Sequence, residues 1–334
     1  MEINAKKDFS RIGLLLFIGS LIVLAVQYVS SFVAGKIPAI AQDPDLSVLA
    51  VMIPMYLIAM PIIFLMFKKV PVTITGEKKA MKPHHILAAF CIAYAATYAC
   101  NFIGTMITSY IAQLKGSQVD NVVMNLTSAI NPLTTLFLTV ICAPIMEELM
   151  FRKMLIDRTY KYGEGMSIVF SGLVFGLFHG NLNQFAYAFV LGIFFGFIYV
   201  KTKNIIYTII LHMIINFVGG LVSSFILEES RIMEFLSEFS YLQSNHSRIN
   251  QNAMMDLMNE YASGIVLFLV YALCLFAVVI AGTIIFLVNR KKFVLEPAEV
   301  AVEKGKGFVT MVLNVGMILY CIYWIINIVI QLVA

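Results

Sequence analysis

Thr139-Val-Ile-Cys-Ala-Pro-Ile-Met-Glu-Glu-Leu-Met-Phe-Arg152 sets two adjacent carboxylates, Glu147 and Glu148, and a guanidinium one turn later at the end of a run otherwise suited to hydrocarbon. A charged side chain at the centre of a bilayer costs about 2.5–3.5 kcal/mol on insertion scales. Two kept side by side imply a use for charge at depth. Around this run the chain is one apolar stretch after another. Of 334 residues, 60% are apolar and 13% charged, and the mean hydropathy is +0.90. Runs of about twenty apolar residues mark transmembrane helices. Nine are read here: Ile12–Val33, Ser47–Phe67, Ile86–Ala112, Pro132–Phe151, Met166–His179, Phe185–Val200, Asn204–Phe225, Gly264–Val288 and Phe308–Val333. The fourth can be extended to about Tyr160. Ten-residue segments of alternating polarity, the mark of a membrane β-barrel, are absent. The expected fold is an all-α polytopic bundle of eight or nine transmembrane helices, a single domain over 1–334 without internal repeats.

Lysine and arginine orient the bundle. With the N-terminus inside, all but four of the 23 basic residues fall on cytoplasmic segments, and only Lys36, Lys115, Arg231 and Arg248 fall outside. This is the positive-inside bias, and it predicts a cytoplasmic N-terminus. It also accounts for the net charge of +4 without a nucleic-acid partner. The first span is too long for a signal-peptide core, and Ser30-Ser-Phe-Val-Ala-Gly35 is a weak cleavage site. The five cysteines lie in apolar spans without CxxC or metal-type spacing and read as packing residues. Lys68–His85 reads as a cytoplasmic connector. Leu227–Ser263, the longest extramembrane stretch, reads as a solvated loop; the alternatives for Ile232-Met-Glu-Phe-Leu-Ser-Glu-Phe239, which has helical apolar spacing, are a helix on the outer surface or a lid. Asn125-Leu-Thr and Asn245-His-Ser match the glycosylation pattern, which is common by chance.

The acidic, basic and imidazole side chains in or directly against the spans form a short set: Glu147, Glu148, Arg152, Lys153, His179 and His212. They belong to the fourth, fifth and seventh spans, which predicts one site and not a distributed ion path. Gly163, in the turn between the fourth and fifth spans, is 16 residues from both Glu147 and His179. At 1.5 Å per residue both lie about 24 Å from that turn, level with one another in an antiparallel hairpin. His212 is nine residues past Lys203, or about 14 Å in. Convergence inside the bilayer, open to water from the cytoplasm, is expected.

Spacing then suggests roles. Glu148 and Arg152 are i,i+4, the geometry of an ion pair that lowers the cost of burial. Glu147 points about 100° away and is left for chemistry, as a general base on water. His179 can orient that water or share its proton. His212 and Asn216 are again i,i+4, and their N–H groups can donate to a developing oxyanion. Base, water and oxyanion donors are the parts needed to hydrolyse an amide. The plainer reading of each residue alone is a structural histidine, a helix-bridging asparagine or a helix–helix clasp.

Three motifs in this order carry a resemblance. Glu147-Glu148-Leu-Met-Phe-Arg152 fits EExxxR, Phe175-Gly-Leu-Phe-His179 fits FxxxH, and His212-Met-Ile-Ile-Asn216 fits HxxxN. On membrane helices this set resembles the CPBP intramembrane proteases, formerly Abi, which group type II CAAX prenyl endopeptidases with bacteriocin-processing and bacteriocin-immunity proteins. It covers 132–225, which the resemblance makes the catalytic core. It implies Glu147 and His179 as the water-activating pair, His212 and Asn216 as the oxyanion hole, and Glu148 and Arg152 as support. Family names often say metalloprotease; a metal-free glutamate mechanism is the other assignment and is preferred here, with no cofactor. The zinc alternative would use Glu147, His179 and His212, although the HExxH spacing is absent. The implied partner is a membrane-associated peptide or lipidated protein, cut as a CAAX-type C-terminus or as a leader, bacteriocin or pheromone precursor. A different class of function, a non-catalytic immunity or transport scaffold, would use the same polar cluster. Transporters usually repeat such features in both halves of the chain, and this chain does not. The Lys-, Ile- and Met-rich wording suggests a bacterial cell membrane.

Overall fold

The computed structural model describes residues 5–117, 119, 125, 129–245, 251–300, 302–303 and 305–333. Among them there is no strand. Eight helices are long and apolar enough to cross a membrane: α1 (Ala5–Gly35), α2 (Pro44–Phe67), α3 (Pro83–Lys115), α4 (Pro132–Tyr162), α6 (Leu182–Thr202), α7 (Ile205–Ser230), α10 (Ala262–Lys292) and α12 (Val315–Val333). The shorter α5 (Glu164–Phe178) lies between α4 and α6. Helices α8 (Ile232–Asn245) and α9 (Gln251–Glu260) follow α7, and α11 (Gly307–Met311) precedes α12. The protein is a multi-pass helical membrane bundle.

The fifth apolar run makes a helix of 15 residues, about 22 Å long, too short to cross a hydrocarbon core of about 30 Å alone. Helices α5 and α6 instead form a tight hairpin. Glycines let it close: at Gly172 a side chain would run into the Phe189 carbonyl, and at Gly192 into the backbone of Gly172. Small residues at four-residue spacing are the usual means of bringing membrane helices into backbone contact.

The basic segments meet at one end of the bundle. Lys161 pairs with Asp8 near the start of α1 at 2.8 Å. Arg11 donates to the Lys69 carbonyl, and Arg158 to that of Phe67. The 68–82 connector is stitched to the same end by Thr73 N–H on the Asp157 carbonyl and Lys79 N–H on the Thr202 carbonyl. Glu164 takes Lys201 and the Glu296 N–H, and Val300 N–H bonds the Lys161 carbonyl. Lys203 sits over the Tyr160 ring at 3.6 Å, and burial holds its ammonium below the ordinary lysine range. This is the end that the positive-inside rule assigns to the cytoplasm.

Two expectations are corrected. The run Phe308–Val333 is not one helix: the chain breaks after α11, and Asn314 starts α12 by accepting the Met317 N–H on its side-chain oxygen at 3.0 Å. Asparagine is a strong helix N-cap because its side chain satisfies an orphan donor. The 227–263 stretch is largely helical and not a plain loop. Each of the two helices buries one apolar residue, Ile232 in α8 and Leu257 in α9. These helices pack on each other and on the ends of α7 and α10. Both glycosylation-type patterns run into residues outside the described ones.

Candidate active site

Helix α4 is wound wide, with π-type turns over Leu136–Cys142 and Glu148–Ile156. Such turns recur at functional sites. The first has a cause in the sequence. Ala143 N–H reaches back to the Leu138 carbonyl, and residue 144 is a proline without an N–H, so neither usual helical donor serves the Thr139 carbonyl. Asn216 of α7 fills that need, its Nδ2 donating to Thr139 O at 2.8 Å. A carbonyl released at membrane depth must find a partner within the protein. Just beyond Asn216, α7 widens in turn over Phe217–Val222.

About two turns along α4 from Thr139, the helix presents Glu147 and Glu148, and His212 of α7 stands between them. Its Nδ1 is 3.0 Å from Glu148 Oε1 and its Nε2 3.7 Å from Glu147 Oε2. A carboxylate can only accept, so Nδ1 carries the hydrogen of the shorter contact. Glu148 is fully buried and faces Arg152, also fully buried, whose Nε is 3.2 Å from Glu148 Oε2. That is an ion pair without hydrogen-bond alignment, and Arg152 Nη1 and Nη2 have no protein acceptor. The guanidinium lies instead over the Phe175 ring at 4.3 Å and near that of Phe195 at 5.6 Å. Cation–π contacts of this kind strengthen to about 2 kcal/mol when dry. Glu147 is the more open carboxylate, its side chain 18% exposed.

His179 ends α5. Its Nδ1 donates to the Phe175 carbonyl at 2.9 Å, which leaves Nε2 with a free lone pair. Glu147 and His212 both lie close enough to act on its charge. The turn that follows is held by Asn181, which donates to the His179 carbonyl at 2.9 Å and accepts the Gln184 N–H at 2.9 Å. Gly180 turns there with φ +64°, beneath the Trp324 ring of α12. Phe175 is the hub. Its ring centroid is 4.7 Å from that of His179 and 5.9 Å from that of His212, with Arg152 stacked on it.

The structure thus gathers Glu147, Glu148, Arg152 and His212 directly, and joins His179 to them through Phe175. Asn216 is one turn along α7 from His212, with its amide tied to Thr139. Lys153 is elsewhere, half-exposed and paired with Asp157. Reasoning from ionisable residues missed Phe175, Phe195 and the Pro144–Thr139 break. Phe175 was visible as the aromatic of FxxxH, and Pro144 three residues before Glu147; nothing in the sequence marks Phe195. The zinc alternative does not fit. The Nδ1 bonds of His212 and His179 leave both Nε2 atoms outward, as in a zinc ligand, but among the described residues no three His, Cys, Asp or Glu side chains are placed to hold a metal ion.

Residues 129–218, about a quarter of the chain, match the family described as Type II CAAX prenyl endopeptidase Rce1-like. Over these residues the chain is similar to that protease family. All seven residues of the three motifs fall inside the matched stretch. Over 80 residues the chain is 34% identical to "Putative membrane peptidase YdiL" of Bacillus subtilis (strain 168). That stretch is 23% of this chain and 32% of YdiL, so the likeness spans about a third of the relative's length. No solved structure matches the chain.

Proposed function

We propose that the protein is an intramembrane endopeptidase that hydrolyses a peptide bond in a membrane-associated peptide or lipidated protein, with residues 132–225 as its catalytic core and 1–334 as a single transmembrane domain. The observation that carries this reading is His212 poised between Glu147 and Glu148, at 3.7 and 3.0 Å, inside a domain of a protease family. Glu147, the open carboxylate, takes a proton from a water that also donates to Nε2 of His179. The hydroxide oxygen bonds the scissile carbonyl carbon, and the carbonyl electrons move to its oxygen. Asn216 has two N–H groups, one of them committed to Thr139, and the other is available to that oxyanion. With Nδ1–H held by Glu148, Nε2 of His212 donates to the oxyanion only while the ring carries both hydrogens. When the C–N bond breaks, Glu147 returns its proton to the leaving amine, giving an acid and an amine. Glu148, neutralised by Arg152, positions His212.

The substrate is a CAAX-type C-terminus or a leader, bacteriocin or pheromone precursor, reached from the cytoplasmic side of a bacterial cell membrane. The test is cleavage of prenylated and leader-type peptides by the purified protein in detergent. Wild type, Glu147→Gln and His179→Ala are compared, with and without a chelator. Cleavage that is lost in Glu147→Gln and unaffected by chelation is expected. Loss on chelation, restored by zinc, would overturn the metal-free assignment. A folded wild type that cuts no peptide of either class would favour the immunity or transport scaffold.

A further inference from the structure

Just past Asn216, the wide turn of α7 contains Gly219 and Gly220. Glycine is the poorest helix former after proline, and inside membrane helices it ordinarily lets two backbones touch. Gly13, Gly264 and Gly282 do that here. A side chain at these positions would run into the backbone of Met317, Ser230 and Cys91 respectively. At Gly219 or Gly220 a side chain would meet nothing within 4 Å among the described residues. No packing contact explains them.

Two clamps bracket this bare stretch of backbone. On one side Asn216 holds the Thr139 carbonyl of α4. On the other, Ser223 donates to the Val218 carbonyl at 3.0 Å and accepts from the Tyr271 hydroxyl of α10. Tyr94 of α3 reaches the same place. It is 1% exposed, and its hydroxyl faces those of Tyr271 and Tyr98 with no hydrogen-bond partner among the described residues. A buried hydroxyl left unpaired is costly, and a bound acceptor offsets that cost. An extended peptide uses both features. Its backbone has to pair with protein at membrane depth, and a helix without Cβ atoms lets it approach closely. An acyl chain would use neither. From Asn216 to Ser223 is seven residues, about 10 Å along the helix, which about three residues of extended chain would cover. A substrate entering from the cytoplasm places the residues beyond its cut on this outward side.

We propose that about three residues on the leaving side of the scissile bond lie extended over Gly219 and Gly220, with a backbone carbonyl held by the Tyr94 hydroxyl. This rests on the proteolytic reading and adds which side of the cut the protein grips. The test gives the purified full chain a farnesylated peptide with either three residues or one after the prenyl cysteine. Gly219→Leu is compared with wild type and with Gly35→Leu, the same change at an open glycine ending α1. Gly219→Leu should melt no lower than wild type, because the space it fills is empty. Its kcat/KM should fall at least about tenfold further on the longer peptide than on the shorter, the usual cost of a misfitted pocket. Gly35→Leu should cut both as wild type does. Tyr94→Phe should raise KM for the longer peptide about fivefold, the worth of one hydrogen bond, with kcat little changed. A second readout needs no turnover: in Glu147→Gln, the longer peptide with benzoylphenylalanine as its last residue should crosslink to α7 within residues 217–223. Adding Gly219→Leu should remove that crosslink. Equal losses on both peptides, a crosslink that survives Gly219→Leu, or none in folded Glu147→Gln would each overturn the proposal. A wild type that cuts neither peptide while the crosslink forms at 217–223 would keep the groove as a peptide site and count against the proteolytic reading.

Discussion

Helix α4 carries two acid–base pairs at i,i+4 spacing in immediate succession, Glu148 with Arg152 and Lys153 with Asp157, and they behave as opposites. In the first, both side chains are fully buried, the contact is 3.2 Å without hydrogen-bond alignment, and two guanidinium nitrogens have no protein acceptor. In the second, Lys153 is 52% exposed, the contact is 2.7 Å, and Tyr199 donates a further hydrogen bond to Asp157 at 2.6 Å. The better-formed pair is the less consequential one. Water screens Lys153, so its attraction to Asp157 adds little. Arg152 and Glu148 rely on each other, on His212 and on two phenyl faces to offset their desolvation, so removing either partner leaves an uncompensated buried charge. Identical spacing yields a surface contact in one place and the support of a reactive histidine in the other.

The largest effect expected is catalytic. Glu147→Gln should lower the initial cleavage rate by about 10²–10⁴-fold, the usual contribution of a general base, with an unchanged melting curve because its carboxylate makes no close structural contact. The next breaks the buried pair. Arg152→Gln should cost about 3–5 kcal/mol, read as a large fall in thermal midpoint in detergent, and the double change Glu148→Gln with Arg152→Gln should recover part of that loss. A double change no more stable than the single would show that Glu148 is not the charge left stranded. Asn216→Ala should cost about 1–3 kcal/mol by orphaning the Thr139 carbonyl. Adding Pro144→Ala should restore some of it by supplying the missing N–H, and no restoration would refute the proline-release account of the wide turn. Lys153→Ala, the mirror of the second test, should move the midpoint by less than about 1 kcal/mol equivalent. A loss as large as that of Arg152→Gln would erase the contrast between the two pairs.

How much could be read in advance follows the same division. The spans were legible because hydrocarbon is a uniform solvent and each apolar run answers to it alone. Two signals were present but outweighed by hydropathy. Asn314, inside an apolar run, is the helix start that splits the last span, and the Ile232–Phe239 spacing is that of a true helix. The site residues were legible as a set because charge is expensive at depth. Their partners were not. Glu148 was expected to serve Arg152 and instead also holds His212, while the Asn216 amide goes to a carbonyl freed by a proline 72 residues earlier in the chain.

By itself the sequence determined the solvent, the order of the apolar segments, where the basic residues gather between them, and which few polar side chains lie within them. These follow from transfer energies and charge counts that each segment carries independently of the others. Only the tertiary structure decided that α5 closes on α6 as a short hairpin, that Phe175 joins both histidines and Arg152, and that His212 stands between two glutamates. Those depend on how helices distant in sequence pack and on where released backbone groups find partners, and no local pattern encodes either.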